Sequence, residues 1–180
     1  MHRAREIEPL SPVVNLYLGM AHLCAGQYDL AVRQMRQSIE LDPGYYRAYL
    51  FLGKSLSFLE RHEEAIAAFD KSLSLFQEQT ETLAFLGSAL AGKGDRQGAL
   101  SMVERLRAAE DRTEPAVLIA CVYARLGMTE EMYAWLQRAV VVKSTPIYIA
   151  VICFEVFPYF SDPRYHSFLA SIGLQQRARA

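Results

Sequence analysis

The chain has 180 residues, 52% of them hydrophobic, with 19 basic against 20 acidic side chains and a formal net charge of −1. That composition predicts one continuous folded core and excludes a disordered polar chain. The balanced charge leaves no electrostatic footprint for direct nucleic-acid binding, and the longest apolar run, Ile147 to Phe160, is broken by Glu155 and Pro158 and is too short to insert in a membrane, where a span needs roughly 20 residues.

In chain order, the start Met1-His2-Arg3-Ala4-Arg5-Glu6 lacks the apolar core of a signal peptide. A cytoplasmic location is therefore expected, with a periplasmic position inside a longer membrane-anchored parent as the alternative. Ala4 and Pro9 precede Ser38 and Pro43 by the same interval that separates Leu18-Gly19 from Leu52-Gly53. Residues 1–9 thus read as the tail of a preceding repeat's second helix, and the array is expected to begin mid-repeat.

From there the chain repeats itself. Leu18-Gly19, Leu52-Gly53 and Leu86-Gly87 recur at one constant interval, and Ala31, Ala65 and Ala99 follow the three glycines in the same register. Tyr17, Phe51 and Phe85 precede the pairs; Met35, Phe69 and Val103 follow in phase. A fourth, degenerate copy arrives one position early, with Ile119-Ala120 in place of Leu-Gly and then Gly127, Met132, Leu136 and Ala139. The interval, about 34 residues, is the period of an array of helical hairpins. Breakers set the turns within hairpins at Ala25-Gly26-Gln27, Glu60-Arg61, Gly92-Lys93-Gly94-Asp95 and Leu126-Gly127. A glycine inside a helix costs about 1 kcal/mol relative to alanine, so three at one phase predict a close helix contact, with Ala31, Ala65 or Ala99 as the expected neighbour.

The resulting pattern resembles the tetratricopeptide repeat (TPR) family. Leu18-Gly19 through Ala31 to Pro43, and Leu52-Gly53 through Ala65-Ile66-Ala67-Ala68-Phe69, carry the likeness, which covers about residues 12 to 142. Departures are Asn15, Tyr49 and Leu83 where the family has an early tryptophan, Gln77 and Asp111 where it has proline, and Ala120 in place of the fourth glycine. The expected fold is all-α: one domain over 1–180, an α-α superhelix of four hairpins at 12–44, 45–78, 79–111 and 113–142, closed by a helical cap at 145–174. Within that cap, Asp162-Pro163-Arg164-Tyr165 is similar to the closing segment that follows TPR arrays in bacterial multidomain signalling proteins. There the array is joined to an upstream output module: a winged-helix transcriptional activator, a serine/threonine kinase or an adenylate cyclase.

Chemistry-bearing residues do not form a catalytic, cofactor or metal constellation. Cys24, Cys121 and Cys153 lack Cys-x-x-Cys spacing and read as buried thiols. His2, His22, His62 and His166 have no metal-ligand spacing. Glu63-Glu64 and Glu130-Glu131 open second helices, where acidic side chains suit the helix dipole. Gly92-x-Gly94 lacks the strand and the Gly-Lys-Ser/Thr of a phosphate loop.

What remains is the concave face of the first helices. Helical phase assigns to it Leu16 and Met20 in the first repeat, Arg47, Leu50, Lys54 and Ser57 in the second, Glu81 and Ser88 in the third, and Val117 and Arg125 in the fourth. Leu16 and Met20 stand where TPR clamps for chaperone tails carry lysine and asparagine, which argues against that ligand class. Two functions stay open: a non-catalytic scaffold binding a protein or peptide in this groove, or a sensory part of a larger bacterial signalling protein. Apolar Val13, Val14, Leu16 and Tyr17 on the first helix point to self-association or docking of an upstream domain there.

Overall fold

The structure, a computed structural model, describes residues 11–77, 79–109, 115–142, 159 and 161–174. The expected repeat tail at 1–9, the cap's residues 145–158 and 160, and with them Cys153, lie outside the described residues. Within them there are helices and turns and no strand. The helices are α1 (Pro12–Cys24), α2 (Tyr28–Leu41), α3 (Tyr46–Phe58), α4 (His62–Leu75), α5 (Thr80–Lys93), α6 (Arg96–Ala108), α7 (Ala116–Arg125), α8 (Thr129–Val141) and α9 (Pro163–Ser171). They form a TPR solenoid in which α1 packs on α2, α3 on α4, α5 on α6 and α7 on α8.

Local chemistry sets the ends. Ser11 caps α1, its hydroxyl accepting from the Val14 amide, with Pro12 at the first helical position. Asp95 and Asp162 cap α6 and α9 through the amides of Gly98 and Arg164. Every hairpin turn closes the same way: the amides of Gln27, Arg61, Asp95 and Met128 donate to the carbonyls of His22, Leu56, Leu90 and Tyr123. This closure needs a left-handed residue just before the donor. Gly26, Gly94 and Gly127 supply it; Glu60, at φ 55°, takes the same conformation without glycine's freedom. Two hairpins are further tied by a serine, Ser38 donating to the Pro12 carbonyl at 2.7 Å and Ser72 to that of Tyr46 at 3.0 Å.

The repeated glycines do mark close contacts, but the atoms nearest to them are not those of the expected alanines. A Cβ on Gly19 would stand 2.6 Å from Met35 Cε, and one on Gly53 would stand 2.5 Å from Phe69 Cε1. The partner is the large apolar residue one turn beyond Ala31 or Ala65, whose side chain leans back toward its own helix N-terminus. Gly87 differs again, facing Val122 and Met102. There the array changes its junction: α2 packs on α3 and α4 on α5, but α6 barely meets α7, whose contact with the preceding repeat is chiefly to α5.

The thiols also divide. Cys121 is buried, whereas Cys24, expected to be buried, ends α1 in the open. At the far end α9 docks on α8 through Tyr165, Phe168 and Leu169, all buried. Tyr159 Oη donates to the Ala124 carbonyl at 3.1 Å. Arg164 reaches Glu130 at 2.7 Å and Asp162 at 3.0 Å and lies over the Tyr133 ring, its guanidinium carbon 4.4 Å from the centroid. Burial, then the Asp162 carboxylate, pushes the Tyr133 hydroxyl well above its ordinary value. A solenoid end needs such a cover.

Candidate binding groove

The inner face is built from α1, α3, α5 and α7. Of the ten residues that helical phase assigns to it, five are buried: Leu16, Leu50, Ser57, Ser88 and Val117. Adjacent first helices sit close enough to claim one inward position of each helix for the core, so Leu16, Leu50 and Val117 pack between elements. Ser57 spends its hydroxyl on the Gly53 carbonyl at 2.9 Å. These five are packing residues, not groove lining. Met20, Arg47, Lys54, Glu81 and Arg125 keep part of their surface open.

Lys54 is already committed. Its ammonium pairs with Glu81 at 3.2 Å and lies over the rings of Phe85 and Phe51, 4.3 and 4.9 Å from their centroids. An exposed ion pair contributes about 0–1 kcal/mol and a cation over an aromatic face about 0.5–2 kcal/mol. Since only 18% of the Lys54 side chain is exposed, it works mainly as a tie between the second and third repeats. Nearby, burial raises the Tyr45 hydroxyl above its ordinary value while Arg47 opposes the shift.

Second-helix residues enter the face as well. Tyr28, the first residue of α2, stacks on Phe58 with ring centroids 4.8 Å apart. His62, the first residue of α4, turns toward Gly92, as does Arg125 from α7. Lys93 pairs with Glu63 at 3.1 Å beside them. Helical phase on the first helices alone misses Tyr28, His62 and Gly92. The signal was present as a shared interval, since Tyr28 and His62, like Phe58 and Gly92, stand one full repeat apart.

This geometry, hairpins stacked so that first helices share one face, is that of a tetratricopeptide-repeat protein. Residues 46–79, spanning α3 and α4, match the tetratricopeptide repeat. It is 32% identical over 108 residues to the BBSome complex member BBS4 of Xenopus tropicalis, covering 59% of this chain and spanning only 20% of that relative. Two solved structures share the fold. TTC0263, a thermophilic TPR protein of Thermus thermophilus, superposes with a TM-score of 0.70 at 18% identity over 96% of this chain and 87% of that one. YrrB, described as a TPR protein with an unusual peptide-binding site, gives 0.58 at 20% identity over 98% and 93%. No described helix is long and apolar enough to cross a membrane.

Proposed function

We propose that the chain is a non-catalytic scaffold that holds an extended protein segment along its inner face. The observation that carries this reading is the row Met20, Arg47, Glu81 and Arg125. These residues come from four successive first helices and keep open surface beside core neighbours that are closed. Groove and charge are thereby offered to one continuous ligand. The peptide-binding site of YrrB and the complex membership of BBS4 agree with such a role for this fold. A library of displayed peptides tests it. Selected peptides lose at least about tenfold in affinity on Arg47→Glu or Met20→Glu, the worth of one or two lost contacts, and are indifferent to Asp70→Lys on the exposed face of α4. Peptides sensitive only to Asp70→Lys would move the site to the outer surface.

A second reading, a sensory or regulatory part of a larger signalling protein, draws on Asp162-Pro163-Arg164-Tyr165. Asp162 caps α9 and Tyr165 plugs the end of the array, which gives that closing segment a definite place in the fold. Val13 and Tyr17 leave 44% and 48% of their surface open on α1. In this reading they are where a second copy or an upstream module docks.

A further inference from the structure

We draw no further inference here: the strongest candidate, the cavity of about 490 Å³ between α8 and α9 lined by Tyr133, Leu136, Val140, Val141 and Phe168, carries none, because the Arg164 guanidinium at its wall is already spent on Glu130 and Asp162 and nothing in the structure shows what covers its apolar surface.

Discussion

Gly53→Ala separates packing from helix propensity at one atom. The added Cβ would stand 2.5, 2.7 and 2.7 Å from Cε1, Cδ1 and Cζ of Phe69, where carbon atoms ordinarily rest about 3.5–4.0 Å apart. The ring must retreat by about 1 Å. It has nowhere to go, since Phe69 is fully buried and stacks on Phe85 with centroids 6.2 Å apart. Overpacking of this kind costs about 1–3 kcal/mol, against a gain of about 1 kcal/mol from replacing a helical glycine. With a fully buried ring the cost falls in the upper part of that range, about 2–3 kcal/mol, so a net loss of about 1–2 kcal/mol follows, which lowers the melting midpoint by roughly 2–4 °C per kcal/mol in a domain of this size. Gly19→Ala is the control. Its Cβ would meet the terminal Met35 Cε at 2.6 Å, and methionine, with three rotatable bonds, can turn away. That variant should melt within about 0.5 kcal/mol of wild type. Thermal and urea melts followed by far-ultraviolet circular dichroism measure both. Phe69→Leu should cost less in the Gly53→Ala background than alone, because the smaller side chain makes room for the methyl. A Gly53→Ala protein as stable as wild type, or a larger loss in Gly19→Ala, would refute the reasoning.

Tyr17→Glu, placed on the open edge of α1 rather than at buried Leu16, should abolish any growth of apparent mass with concentration in light scattering; a wild-type chain that is monomeric throughout removes self-association through Val13 and Tyr17. At the cap, the Arg164 side chain and then its amide hold the Asp162 carboxyl below the usual carboxylate range. Folding thus favours the ionised form, so its contribution is full above the unfolded carboxylate value and is lost as pH falls through the depressed one. Amide shifts of Arg164 and Tyr165 in an acid titration should report that loss in wild type. Asp162→Asn, which keeps a competent cap, should remove the step.

How much of this was legible without coordinates depends on the range of the interaction. The Leu-Gly-Ala period and the glycines at the turns act within a helix or across one hairpin. Their physics is local, and the all-helical stacked array follows from it. The partners of Gly19 and Gly53 were misread by one helical turn, because side-chain lean and not residue interval decides which atom arrives at a glycine. The groove was misread at Leu16, Leu50 and Val117 for a related reason. Phase on an isolated helix marks a face, but whether that face meets solvent depends on how closely the next first helix stacks. The convergence of His62 and Arg125 over Gly92 lay deeper still. It joins three repeats whose relative placement is set by the sum of all the packing between them, and only the tertiary structure carries that sum.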